Sequence, residues 1–567
     1  MITMVEITTG ATTLPHRVLL EAEAIREAKA FQGHREINLQ QTGKRKYMKQ
    51  IFIFCIILLS GRQVFSQVPE DAKLYSWYPQ TGTARSLAIG GAMGSLGGDI
   101  SALYVNPAGL GFYRTNEFVI SPQFSFNKNA ATFINNPKDT GKNAFALGAI
   151  GVIFGEGSNK KGKKSSAFSI GITQTANFNN RVYYKGINDY SSFSETFAEE
   201  FAKSGISTDE LLNTLSPLPY TAAPAYYTYL IDIDTSNGIS QVRAAPEQLL
   251  DAGGSLQQSF LKETQGGLYE LALGGAINTN DKWLFGGTLG IPIVDFTSTT
   301  TVTEKDASGN TKNGFQSFSY EDEYRTTGVG FNVKLGAIYR PAEYFRLGLA
   351  LHTASFIFLK DERTTNLNTI LEDTAGNAEN FSVSSLLFTN NEAGEANYRQ
   401  FTPWKAIFSA SYVFREIENV KKQRGFLTAD VEYVNYKGSR FGKSGSKNTG
   451  SKQYYSALND VIKDYYKGAF NFRVGGELKF NTFMTRLGFA YYGNPYADKT
   501  YKASRTLLSG GIGYRNKGFF ADLTYIHSIT KDVNYPYRLE DRSNPYYATQ
   551  RQKSGMIAAT IGWKFWE

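Results

Sequence analysis

Beyond its first 66 residues the chain carries two histidines, His352 and His527, and no thiol, because its one cysteine, Cys55, falls in that leading stretch. Thiol chemistry, disulfides and cysteine metal sites are thereby excluded from the remainder. Hydrolysis by a Ser/His pair needs a nucleophile within hydrogen-bond reach of an imidazole. In LALHTAS the alternation of a strand sets Ser355 on the face opposite His352. The Gly-rich run GGAMGSLGG, Gly90–Gly98, is followed by no Lys-Ser/Thr and preceded by no buried strand, so it is not a phosphate loop. The reading is of a non-enzyme with no catalytic, cofactor or metal residues; haem uptake through His352 stands as one alternative. What remains is charge. Lys334, Arg346, Arg473, Lys479, Arg486 and Lys564 fall on the polar face of alternating stretches, together with Asp430, Glu432, Glu477 and Asp522. They are either cross-strand ion pairs or cations left over to receive an anionic head group, and the sequence leaves both open.

The elements that carry these charges read as strands. In FNFRVGGELKF, Phe470, Phe472, Val474, Leu478 and Phe480 share one face, and Asn471, Arg473, Gly475, Glu477 and Lys479 the other. The same period of two runs through VGFNVKLGAIYR (Val329–Arg340) and on to the terminal Ile557, Ile561, Trp563 and Phe565. Fifty-five glycines, 35 tyrosines and 40 phenylalanines suit such a chain. Many stretches reach ten residues, enough for a tilted strand to cross a bilayer, and aromatics such as Tyr339, Tyr344, Phe345, Tyr514, Phe519, Phe520, Trp563 and Phe565 gather at their ends. Connections alternate between short (Asn278–Asp281, Arg340–Glu343, Phe480–Phe483, Arg515–Gly518) and long (Asn179–Gln265, Asp361–Tyr398, Gly438–Lys467, Lys531–Arg551). The expected fold class is all-β: a transmembrane antiparallel β-barrel of about 14 strands, its first at Glu117–Asn127, with short periplasmic turns and long extracellular loops. Two helices with capping boxes, Ser192/Glu195 and Ser207/Glu210, are expected in the first long loop.

Basic residues (Lys44, Arg45, Lys46, Lys49), the apolar run Ile51–Leu59 and small residues near Ser66 have the order of a secretory signal, with cleavage expected after Ser66. Residues 1–66 are therefore an N-terminal extension and signal peptide, and the location is the outer membrane of a Gram-negative-type bacterium. The net charge of +9 forms no basic stripe, so no nucleic-acid partner is expected. The terminal GWKFWE resembles the signal read by barrel-assembly machinery, a partner during biogenesis alongside outer-membrane lipid.

Residues 67–116 precede the barrel, 117–567, and read as a hatch inside the lumen, since a barrel this wide is an open pore unless filled. Asp99 is placed to cap a short helix through Leu103 and Tyr104; Asn106, before Pro107, turns back on the backbone, and small Ala108 and Gly109 pass close to a wall. The stretch ARSLAIGGAMGSLGGDISALYVNPAGLG, with its Asn-Pro-Ala, resembles the N-terminal hatch of FadL-type outer-membrane transporters for long-chain fatty acids and other hydrophobic compounds. RLGLALHTASF (Arg346–Phe356) is similar to a strand of that family. The resemblance implies a barrel plugged by Asn106, Pro107, Ala108 and Gly109. It also implies a hydrophobic small-molecule ligand collected outside under a helical lid, and a lateral opening near a kinked third strand. Passive uptake gated by the hatch, with sideways release, is the expected function. A structural or adhesive barrel binding a partner through its loops is the alternative from another class.

Overall fold

Two-residue corners set the strand register. Asn280 and Asp281 both take positive φ, 56° and 55°, between β7 (Leu256–Thr279) and β8 (Trp283–Asp306). Such twin left-handed residues join strands whose right-handed twist continues through the turn, and Asn and Asp tolerate that conformation best. A computed structural model of the chain describes residues 69, 71–157, 164–235, 240–414, 424–444, 452–499, 501, 503–540, 542 and 546–565. The expected signal peptide, its cleavage position and Cys55 lie outside these.

The other strands, in chain order, are β1 (Asn116–Phe133), β2 (Asn136–Gly157), β3 (Ser165–Asn177), β4 (Asn180–Asn188), the small pair β5 (Ile231–Asp234) and β6 (Gln241–Ala244), β9 (Ser317–Ala342), β10 (Phe345–His352), β11 (Phe356–Glu372), β12 (Ala378–Ser384), β13 (Gly394–Phe401), β14 (Lys405–Phe414), β15 (Gly425–Asn435), β16 (Arg440–Lys443), β17 (Gly468–Phe480), β18 (Phe483–Tyr492), β19 (Ser504–Asn516), β20 (Phe519–Asn534) and β21 (Ala548–Phe565). Neighbours pair antiparallel around the ring, and β21 returns to β1 with Asn116 opposite Phe565 and Thr132 opposite Thr549. Counting β3 with β4, β10 with β11, β12 and β13 with β14, and β15 with β16 as single interrupted staves gives the closed 14-strand barrel. None of the described helices is long and apolar enough to cross a membrane.

The outward face is apolar: Phe470, Phe472, Val474, Leu478 and Phe480 on β17 are exposed, as are Val329, Phe331, Val333 and Leu335 on β9. At the turn end, periplasmic in barrels of this kind, Trp283 stacks on Tyr339 at 4.2 Å and Phe519 meets Trp563 at 6.1 Å. Phe520 departs from the expected girdle; it is buried on the inner face, because alternation sends the neighbour of an outward Phe519 inward.

β7, β8 and β9 run 24, 24 and 26 residues, far more than the roughly ten that an apolar band about 25 Å tall requires. The excess lies at the loop end, where the pattern inverts. On β8 the outward series ends at Ile293 and continues as Asp295, Thr297 and Thr299, while Val294, Phe296 and Val302 turn buried. The wall thus leaves the lipid and continues as a β-cup with an apolar inside. Both ends of the expected loop Asn179–Gln265 are consequently strand: β4 and the opening residues of β7 lie within it. One outer connection is as tight as any periplasmic turn, the Ile134–Asn135 corner between β1 and β2, both residues at positive φ.

Candidate functional site

Residues 71–112 lie inside the barrel. They comprise α1 (Asp71–Leu74), α2 (Ala84–Ala88), α3 (Ala102–Val105) and a 3-10 turn, Pro107–Phe112. Ser101, not Asp99, occupies the N-cap of α3. The Asp99 carboxylate instead accepts from the Ser101 N–H at 2.9 Å and the Thr83 hydroxyl at 2.7 Å, closing the segment on itself. Asn106 is wholly buried, and its Oδ1 accepts from the Ala108 N–H at 3.1 Å, the expected turn. Its Nδ2 donates to the Gly94 carbonyl at 2.6 Å and faces the backbone carbonyls of Ala337 and Leu349 on the wall.

The close approach to the wall is made mainly on the wall's side. A Cβ on Gly336 would overlap Asn106 Oδ1, one on Gly286 would overlap Pro107, and one on Gly348 would overlap the Gly94 carbonyl. Gly475 and Gly488 similarly admit Ile89 and Gly90. Inner-face glycines of β8, β9, β10, β17 and β18 thus form a belt against which the backbone of the segment rests. Gly109 faces Leu96 and Ala102 of its own segment. This belt escapes a residue-by-residue reading; its signal is that glycines recur on the polar face of successive strands.

The six inward cations are spread around the ring and not gathered into one site. Arg473 lies 3.8 Å from Asp430 and 3.4 Å from Glu432, and Arg486 bonds Glu477 at 2.6 Å and Asp522 at 2.5 Å. Lys334 pairs with Glu270 and donates to Asn332 at 2.8 Å. Lys564 reaches Glu117 at 3.2 Å. The Arg346 guanidinium lies 4.6 Å from the Phe112 ring centre, and half-buried Lys479 stands opposite Met484. Several of these groups also hold the inner segment. Asp430 accepts from the Gly94 N–H at 3.1 Å, and Arg85 of α2 approaches Glu477 at 3.7 Å.

His352 faces inward, its Nε2 2.8 Å from the Val105 carbonyl, so that nitrogen carries the proton and grips α3. The break between β10 and β11 resets the alternation, and Ser355 therefore opens on the same narrow cleft as His352, contrary to strand parity. Ser355 Oγ accepts from Asn332 at 3.1 Å.

Beyond the segment lies a cavity of about 720 Å³, whose lining includes Trp77, Tyr78, Gln123, Asn127, Gln174 and Phe178. One side of it is unusual. β2 pairs with β3 only from Ile150 to Gly157, whereas Asn136–Ala149 pairs with β1 alone. On its other side β3 carries a register shift against β7 between Gln174 and Ala176. Side chains span what backbone does not. Gln174 Oε1 accepts from the Leu147 N–H at 3.1 Å, Thr173 donates to the Gly148 carbonyl, Asn129 donates to Arg181 O at 2.6 Å, and Lys142 donates to Thr264 O at 3.1 Å. Phe145 stands on the lipid side of this edge, 80% exposed.

The cup above the cavity is filled by four helices: α4 (Glu195–Ser204), α5 (Thr208–Leu211), α6 (Ala222–Tyr227) and α7 (Ala245–Asp251). Phe197, Phe201 and Leu211 pack on the inward Phe133, Phe260, Phe318 and Leu367 of the wall. The Ser207/Glu210 capping box forms in full. The other does not form as expected: Ser194, not Ser192, is the N-cap of α4, and although Glu195 accepts from the Ser192 N–H at 2.7 Å, the Ser192 hydroxyl goes to Glu304 at 2.5 Å. Glu304, fully buried, also accepts from the Phe193 N–H and from Gln258, each at 2.7 Å. A further helix absent from the sequence reading, α8 (Lys452–Tyr465), packs Tyr454, Tyr455 and Leu458 with Tyr75 and Trp77.

These features define a class, the transmembrane β-barrel whose lumen is filled by its own N-terminal segment. No protein-family model matches the sequence, and no curated protein matches it. Among solved structures the chain is similar to a Pseudomonas aeruginosa FadL homologue, with 14% identity over 86% of this chain and 99% of that one and a TM-score of 0.49. It is also similar to the Pseudomonas putida toluene transporter TodX (12%, 86% and 99%, 0.46) and the Ralstonia pickettii toluene transporter TbuX (15%, 86% and 99%, 0.43).

Proposed function

We propose that the protein takes up hydrophobic small molecules, fatty-acid-like in character, across the outer membrane without energy input, with residues 67–116 as the hatch. The observation that carries this reading is the cavity bordered by the unpaired edge of β2, between a lid packed into the cup and a segment packed on the glycine belt. A hydrophobic ligand loses its burial if it must leave through water. The gap beside Phe145 offers it a sideways route into the lipid, and opening it breaks side-chain hydrogen bonds and not a backbone ladder. In this reading Asn106, Pro107, Ala108 and Gly109 form the corner on which the hatch turns.

The test is uptake of a labelled long-chain fatty acid into liposomes by the intact protein, by Asn106→Ala and by a deletion of Gly90–Leu110. Ligand-specific uptake that both changes alter supports a gated transporter. No uptake by the intact protein, with a nonspecific leak in the deletion, moves the function to the loops. The exposed Leu215, Tyr227 and Tyr229 on the lid favour that second reading, an adhesive barrel.

A further inference from the structure

Immediately above the lipid belt, the outward face of β20, β21 and β1 is cationic. The last belt row there is Tyr525, Ile557 and Phe124, and above it stand His527, Gly555 and Phe126. Next come Lys553 and Lys128, directly opposite one another, and then Lys531 and Arg551, again directly opposite. All four side chains are exposed. Lys128 has Asp139 at 3.0 Å; Lys531, Arg551 and Lys553 have no carboxylate partner among the described residues. Two cations at similar height elsewhere, Arg325 and Lys360, are matched. Arg325 lies 3.6 Å from Asp295, and Lys360 lies 2.8 Å from Glu362 and 2.5 Å from Glu395.

Like charges directly opposite across a ladder are destabilising, and here two such pairs are stacked at the level where lipid headgroups meet the wall. Basic clusters at that level attract anionic headgroups. We propose that this face binds the phosphate-bearing headgroup of an outer-leaflet lipid, with Lys531, Arg551 and Lys553 as the phosphate contacts and Phe124, Tyr525 and Ile557 beneath its acyl chains. The site borders the free edge of β2, since β1 is that strand's remaining partner. It rests on the barrel and its belt alone, so it stands or falls independently of the transport reading.

The experiment is native mass spectrometry of the detergent-solubilised full chain titrated with lipid A and with its phosphate-free analogue. Wild type is expected to retain lipid A and to lose the analogue, and binding is expected to weaken roughly fivefold for each cation neutralised in Lys531→Gln, Arg551→Gln and Lys553→Gln. Arg325→Gln with Lys360→Gln is expected to leave retention unchanged. Equal retention of both lipids by the wild type overturns the proposal, as does undiminished retention by the combined variant. Complete displacement by millimolar inorganic phosphate overturns it in favour of a free-anion site. Should the combined variant fail to fold, the two-lipid comparison on wild type and the single Lys553→Gln variant decide alone.

Discussion

Glu304 shows how one side chain can tie a lid to a wall. It stands on the outer part of β8, beyond the lipid belt, and burial raises its carboxyl from the usual carboxylate range to about 7, partly offset by donors from Phe193, Ser192 and Gln258 and reinforced by nearby Glu195. A carboxyl whose value is raised on folding stabilises the folded form fully below its unfolded value, and that contribution fades as the pH climbs through the raised value. The lid is therefore expected to loosen as pH rises from about 5 to 8, read as faster hydrogen exchange over residues 189–255. Glu304→Gln should flatten that dependence, and an unchanged profile would show that another group sets it. Deeper in the lumen, Asn106→Ala is expected to cost about 2 kcal/mol, since it leaves buried backbone groups without partners. Gly336→Ala must displace the Asn106 carboxamide and should destabilise on its own. Combined, the two should cost less than their sum, because without Oδ1 the new methyl has room. Thermal unfolding of the four proteins reads this directly, and strict additivity would refute the contact.

At the scale of elements, the edge between β2 and the third stave is where the wall exchanges backbone bonds for side-chain ones. Gln174→Ala removes the acceptor of the Leu147 N–H, and exchange at that amide is expected to speed by about tenfold or more, the loss of one buried bond. Were the rate unchanged, the edge of β2 would be protected by something else. How much of this was legible depended on the period. The belt strands were read from their alternation, and Lys334, Arg473 and Arg486 were placed inward because parity admits one answer. The stretch Val329–Arg340 covers only the belt part of β9 (Ser317–Ala342), since beyond the belt the same period continues with its faces exchanged, as on β8 above Ile293. Phe296, Val302, Phe318 and Tyr320, all buried, are the residues that carry that exchange. Ser355 was misplaced for the related reason that a break between β10 and β11 resets parity.

For the whole molecule, the N-terminal segment touches staves all round the ring, from the Thr560 hydroxyl at the Ala84 N–H on β21 to the Gly336 cleft on β9. Which cations are structural was invisible from sequence, because parity says that a side chain points inward and not what it meets. Arg473 and Arg486 turned out to be enclosed by carboxylates, and neutralising either should destabilise strongly by stranding those acids. Arg486→Leu is expected to lower the temperature at which the barrel loses its heat-resistant electrophoretic mobility, whereas Lys553→Leu on the outer face should not; equal effects would dissolve the distinction. The wrapping of the segment also constrains the order of birth. Backbone pressed against inner-face glycines cannot be threaded into a finished cylinder, so residues 71–112 must already be in place when the seam between β1 and β21 zips shut. The segment is the mandrel around which its own cylinder is rolled.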